Sequence, residues 1–364
     1  MKWGIRVSLW LAALVAWLAV VYFAGVRQGL LFLVGIGLGA VLMGFGFGFT
    51  TGWRAWILDR DPKGLLAQFV TIGLTMLVAI PLIAAHPELS AANAPLSVSL
   101  LIGAFIFGAA MQVADGCGSG TLFKVGQGHI VAYAVLPGFI FGSFLGAAHL
   151  DVWLRLGSLA PVSLPSLLGA WPTVVLQAAI FMGLALLLWR KQQGTETRWR
   201  GKGVYLGAVL LAGFALLNLI VVGQPWGIVY GLGLWGAKLV SAAGWDLSAN
   251  AFWGREAQQT QIHGTMLDDV TTITNLGLLV GAFLVAQHKG KACPAVKASR
   301  RQWLAAALAG LILGYSARLA FGCNVGAYFS GIATGSLHGW VWFAAAFAGS
   351  YLGVRLRQRL GYTR

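Results

Sequence analysis

Residues 108–120 read GAAMQVADGCGSG, and residues 314–326 read GYSARLAFGCNVG. At a constant offset of 206, Gly108, Ala114, Gly116, Cys117 and Gly120 recur as Gly314, Ala320, Gly322, Cys323 and Gly326. In both copies an apolar run halts at a thiol set among glycines, with more apolar sequence beyond it. Glycines two residues apart do not share a helix face, so close helix packing alone does not account for them. They read as a break in a helix. Downstream, GSFLG (142–146) is answered by GSYLG (349–353); upstream, GIGLGA (35–40) echoes GLGLWGA (231–237). The halves then cover 28–150 and 224–355, with an extra N-terminal helix in 1–27, connecting helices and a basic loop in 151–223, and a basic tail in 356–364.

The remaining sequence says where such breaks lie. Of the 364 residues 58% are hydrophobic and only 10% charged, mean hydropathy is +0.78, and there are 51 glycines and 16 tryptophans. Soluble domains carry about a quarter charged residues, whereas Gly within spans and Trp at the interfaces mark membrane proteins. The chain is therefore read as an all-α polytopic membrane protein. A span needs about 20 apolar residues, which places spans near 7–26, 29–49, 65–85, 98–116, 130–149, 172–190, 204–222, 227–245, 270–287, 303–321 and 337–354. The first follows Lys2 and Arg6 and is read as an uncleaved helix, no small-x-small cleavage site being evident.

The net charge of +15 points to membrane orientation and not to nucleic acid, because 14 of the 25 basic residues fall in three patches beside apolar spans. These are Arg190, Lys191, Arg198, Arg200 and Lys202; Lys289, Lys291, Lys297, Arg300 and Arg301; and Arg355, Arg357, Arg359 and Arg364. The loops 86–97 and 151–171 carry little positive charge and suit the outside of a bacterial inner membrane. Simple counting of spans leaves two basic patches outside. If 227–245 turns back without crossing, all patches become cytoplasmic and the halves become inverted repeats. That is the expected arrangement, and it puts a site at the midplane between the halves.

Non-helical backbone at membrane depth must be buried in protein or line a polar cavity. The free N–H groups of a broken helix favour an anion, which makes Gly116, Gly118, Ser119, Gly120, Gly322, Asn324 and Gly326 candidate contacts. A single buried cysteine is most often a small hydrophobe; Cys117 and Cys323, at equivalent positions inside such breaks, are read as functional. A thiolate is costly at this depth and would repel an anion. The neutral S–H, a weak donor on a polarisable atom, suits a soft, sulfur-containing anion and binds it weakly enough to conduct. Arg318 and Lys124 are candidates for drawing the anion in, Lys238 for lining the cavity, and Asp115 for pairing with a base or capping the break. Residues 255–275 are too polar to span and form a loop or plug, from which Asn275 reaches the site. The six histidines lack metal spacing. No Rossmann, Walker or Ser-His-Asp pattern is complete, and no cofactor is implied. A thiol oxidoreductase or sulfurtransferase is the alternative class. It needs an accessible thiol of low pKa or a bridging pair, and neither motif is C-x-x-C.

The stretches GCGSGTLFKVGQGHIVAY (116–133) and ARLAFGCNVGAYFSGIATGSLHGW (317–340) resemble the YeeE/YedE family of sulfur-transport membrane proteins. The latter stretch is most similar to the YedE branch, which has been linked to selenium. The resemblance covers about 28–355. It implies an hourglass of helices in which short broken helices meet at the centre, and passage of thiosulfate along cysteine thiols by S–H···S hydrogen bonds. Cys117 and Cys323 match two of the family's relay cysteines. The third stands in an Arg-x-Phe-Cys-x-x-Gly setting, and this chain reads GFTTGWRAW (48–56), with Phe49 in the cysteine's place. A different sulfur or selenium species, or a slower relay, is the implied consequence. Some members work with a small cytoplasmic sulfur-carrier protein.

Overall fold

A computed structural model describes residues 3–193, 203–290 and 299–361. Cys293, Arg198, Arg200, Lys202, Lys291, Lys297 and Arg364 lie outside the described residues. In chain order the first half comprises α1 (Trp3–Ala24), α2 (Val26–Phe45), α3 (Phe49–Asp59), α4 (Lys63–Ala85), α5 (Val98–Val113), α6 (Gly118–Gln127) and α7 (Ala132–Ala148). Short α8 (Leu150–Leu154) and α9 (Leu164–Leu168) lead to α10 (Ala170–Arg190). Then follow α11 (Gly203–Val222), α12 (Val229–Ala242), α13 (Glu256–His263), α14 (Val270–His288) and α15 (Arg300–Leu319). A π-helical turn (Asn324–Phe329) runs into α16 (Ser330–Ala333), and α17 (Leu337–Arg359) closes the chain.

Eight helical segments among the described residues are long and apolar enough to cross a membrane. The three remaining expected spans are the shorter α7 and α12, with 17 and 14 residues, and the less apolar α17. Outward-facing Leu74, Leu101, Val175, Leu186 and Leu308 are exposed, as a lipid-facing belt requires. α1 and α10 stand at the periphery. Trp17 of α1 donates from Nε1 to the Gly29 carbonyl at 3.1 Å, and Phe181 of α10 packs on Phe69 of α4 at 4.9 Å between ring centroids.

The interior is organised by helices that touch backbone to backbone. A Cβ added to Gly138, Gly142 or Gly146 of α7 would collide with residues 307–315 of α15, and one on Gly310 or Gly314 with Val135 or Phe139 of α7. Gly108 of α5 meets Ala346 of α17, while Gly349 and Gly353 meet Phe105 and Ala109. Gly35 and Gly39 of α2 lie against Thr274 and Leu278 of α14, and Gly277 and Gly281 against Phe32 and Ile36. Residue numbers rise together across each of these pairs, so the partners run parallel. By contrast α5 and α15 are antiparallel: Gly103 abuts Leu319 and Ala320, while 105–113 and 301–312 share a groove. Small residues replace a hydrophobic driving force between helices in lipid by close van der Waals contact. The packing is reciprocal: α5 on α17 and α15 on α7, α2 on α14 and α11 on α4.

The echo between 35–40 and 231–237 does not mark equivalent elements. The first lies midway along α2, the second in the short α12. Both stretches are glycine-rich because both press on a neighbouring backbone, Gly231 against Thr272 and Gly236 against Ile140.

The two poorly charged loops meet at one end of the bundle, where Leu96–Ser97 (β1) pairs antiparallel with Ser158–Leu159 (β2) and Ser163 bridges Ser336. α5 and α17 both start there. At the opposite end α14 finishes with Lys289 donating to the Gly44 carbonyl at 2.7 Å, and α17 finishes with Arg355, Arg357 and Arg359. α12 covers only 14 residues, short for a crossing. We refer to the basic end as the inner end.

The backbone contacts can be tested at Gly314, where a side chain would meet the Phe139 carbonyl. Gly314→Val is expected to destabilise the protein by about 1–3 kcal/mol, as overpacking does, seen as a lower thermal midpoint in detergent. Gly326→Ala, where a Cβ meets nothing within 4 Å, leaves the midpoint unchanged.

Candidate functional site

Four half-helices bring their N-termini to the centre: α3, α6, α12 and the π-turn that leads into α16. Phe49, first in α3, lines a narrow cavity together with Cys117, Ser119 and Gly120. Gly118, first in α6, lies so close to the other half that an added Cβ would sit 3.1 Å from Cys323 Sγ and 3.2 Å from the Ile228 side chain at the start of α12. Phe49 also reaches Phe329 across the centre, 6.5 Å between ring centroids. The expected central meeting of broken helices is thus present, and it rests on Gly118 having no side chain.

Both cysteine motifs leave their long helix by the same backbone hook. The Gly116 N–H donates to the Met111 carbonyl at 3.0 Å, and the Gly322 N–H to the Ala317 carbonyl at 2.8 Å. The residue before each glycine is left-handed without being glycine: Asp115 has φ 59° and Phe321 φ 58°. Aspartate visits this region with several-fold preference, whereas for phenylalanine it costs roughly 1–2 kcal/mol. An added Cβ on Gly116 would press on Gly120 and Thr121, and one on Gly322 on Gly326 and Ala327, so each hook folds onto the turn it starts. Cys117 then caps α6 and Cys323 caps the π-turn, in extended conformations with φ of −88° and −91°.

The thiols are free and buried, with 1% and 0% exposure. Cys117 Sγ lies 3.4 Å from Ser119 Oγ and is faced by the backbone N–H groups of Ser119 and Gly120. Cys323 is faced by the N–H groups of Val325, Gly326 and, from the other half, Gly118. Asn324 is fully buried, and neither of its amide atoms has a partner among the described residues; the Thr121 hydroxyl is likewise unsatisfied. A buried polar group without a partner costs about 1–3 kcal/mol, which sets these atoms apart from the satisfied polar groups around them. The stretch 255–275 is not one loop or plug: it holds α13, and Asn275 lies within α14, where its Nδ2 donates to the Ile228 carbonyl at 3.0 Å. Gly326 faces open space.

The basic candidates are placed less simply. Lys124 lies on the same cavity as Cys117, but its ammonium is joined to the Asp115 carboxylate and carbonyl. Asp115 also receives Arg54 Nη1 at 2.6 Å and stands 3.4 Å from Arg357 Nη1. Arg54 Nε donates to Gln112 Oε1 at 3.1 Å. Asp115 therefore pairs with bases, as expected, and Lys124 is a member of a cluster rather than a lone attractor. Arg318 is held between rings, its guanidinium carbon 4.8 Å from the Phe252 centroid and 5.7 Å from that of Tyr230. Its Nε lacks a partner among the described residues. Lys238 does not line the cavity; it donates to the carbonyls of Gln261, Ile262 and Gly264 and closes the C-terminal end of α13. Arg54, Gln112 and Arg357 had no place among the expected site residues. The one signal for them was Asp115, an acid at membrane depth that needed partners.

Two cysteines at the tips of facing half-helices, in a bundle of apolar spans, invite comparison with known transporters. The sulphur transport family matches residues 46–352. The chain belongs to this family. It is 26% identical over 328 residues to the thiosulfate transporter TsuA of Spirochaeta thermophila, covering 85% of this chain and 92% of that protein. With the thiosulfate transporter TsuA of Escherichia coli it shares 24% identity over 367 residues, covering 94% of this chain and 96% of that one. The probable transporter YedE of Escherichia coli is 30% identical over 135 residues, 37% of this chain and 33% of its own length. Membership makes this a multi-pass transporter of the bacterial inner membrane, a member of a sulfur-transporting family and not an enzyme.

Burial has a direct consequence for the thiols. Neither Cys117 nor Cys323 is expected to react with a bulky maleimide in the folded, detergent-solubilised protein, and both react after denaturation in SDS. Rapid labelling of either in the native state contradicts their placement.

Proposed function

We propose that this chain carries thiosulfate into the cell, and that its halves are inverted repeats joined across the central thiols. The observation that carries the reading is the pair of unbridged, buried thiols, each capping a half-helix, with the Gly118 N–H of one half facing the sulfur of the other. Full-length similarity to two proteins named thiosulfate transporters supports the ion assignment.

The chemistry follows from the donors present. Half-helix N-termini offer partial positive charge and N–H groups without fixing a counter-ion. The S–H groups of Cys117 and Cys323 donate weakly to the terminal sulfur of the anion, one from each half, so the ion is handed over without a deep energy well. Asn324 and Ser119 supply the stronger contacts to its oxygens, and the glycines let backbone approach. Phe49 provides an apolar step at the tip of α3 where a third thiol is absent. The reading covers passage across the membrane and needs no carrier protein.

Uptake of 35S-thiosulfate by a sulfur-auxotrophic bacterium, with and without this chain, is the direct test; competition by sulfate, sulfite and selenite grades the ion's identity. Cys117→Ala and Cys323→Ala are each expected to lower the initial rate about tenfold or more, since a hydrogen bond to a charged ligand is worth ~1.5–3 kcal/mol. Unchanged uptake in both variants removes the relay. Phe49→Cys is expected to raise the rate.

A further inference from the structure

The two cysteine motifs share a backbone but not a charge pattern. At the 206-residue offset Asp115 corresponds to Phe321, Lys124 to Ser330, and Gln112 to Arg318. The hooks are alike, φ 59° at Asp115 and 58° at Phe321. In the second half Ser330 Oγ merely donates to the Trp226 carbonyl at 2.7 Å. In the first, Asp115 binds Arg54, Lys124 and Arg357, and it lines the same narrow cavity as Cys117 and Lys124. This is the inner side of the centre, since α3 and α17, which carry the two arginines, both run toward the inner end.

Three cations face one carboxylate among the described residues. At this depth a fixed excess of positive charge attracts an anion strongly, and an anion held too strongly is not conducted. We propose that Asp115 is a tethered competitor for the transported anion. Its carboxylate occupies Arg54 and Lys124 while the ion rests at Cys117. As the ion advances it takes over these cations, and the carboxylate reclaims them to expel it inward. Placing the competitor in one half alone gives the inner exit a release step that the outer entrance lacks. The inference rests on the anion-transport reading above, and it adds Asp115, Arg54 and Arg357 as residues that set how tightly the ion is held.

Asp115→Asn is the informative variant, because asparagine accepts the left-handed conformation and removes only the charge. Thiosulfate binding to the purified full chain is measured by calorimetry, and transport in proteoliposomes. The expected result is tightening of binding by about tenfold together with a lower maximal rate, a split that loss of a merely structural contact does not produce. Lys124→Gln is expected to weaken binding, and Asp115→Asn with Lys124→Gln to return it close to the wild-type value. A folded Asp115→Asn protein whose affinity is unchanged or weaker, beside a wild type that carries thiosulfate, overturns this inference alone. A wild type that carries none overturns the functional reading. Should the single variant fail to fold, Lys124→Gln is compared with the double variant, and absence of tightening there overturns the proposal.

Discussion

Bare backbone does not survive in hydrocarbon, and every notable feature of this protein answers that constraint. An anion site built from N–H groups requires helices that stop at membrane depth, yet each stop leaves donors and acceptors that lipid cannot satisfy. The solution is to wrap the stops completely. Long helices are drawn together by glycines on α2, α5, α7, α14, α15 and α17 until carbonyls of one rest on the Cα atoms of the next. Only inside such a wall can four short helices end facing one another.

The wall also fixes what the centre is able to recognise. With the cysteines capping α6 and the π-turn, and with Gly118 at the tip of α6 leaving room for the Cys323 sulfur, the donors at the centre are weak and closely spaced. Strong charge is held in pairs, in the cluster around Asp115 on the cavity that Cys117 also lines, and against the rings of Phe252 and Tyr230 at Arg318.

The membrane class was legible in the composition, and the central breaks with their thiols in the two matching glycine-cysteine motifs. Asn275 was read as part of a polar loop, because the acids and amides before it hide the start of α14. Arg54 and Arg357 were not legible, because the positive-inside rule accounts for arginines at span ends equally well. Lys238 was legible only as lining the cavity or snorkelling out of it; its ammonium reaches the carbonyls that end α13, and no pattern in the chain marks that contact. The false echo at 231–237 arose because small-residue spacing reports close contact wherever it occurs, not descent from a common element. Span positions followed from the length of the apolar runs, although Pro81 and Pro137 lie inside α4 and α7 without ending them.

Parallel pairing of α5 with α17 and of α2 with α14 joins segments more than two hundred residues apart. During synthesis the first half therefore enters the bilayer with its contact faces unmatched, Gly108 and Gly35 meeting lipid until their partners are translated. The centre is not enclosed before α17, which packs on α3, α5 and the π-turn, is in place. A chain lacking α17 leaves the glycine face of α5 without the backbone it packs on, an open seam along the bundle.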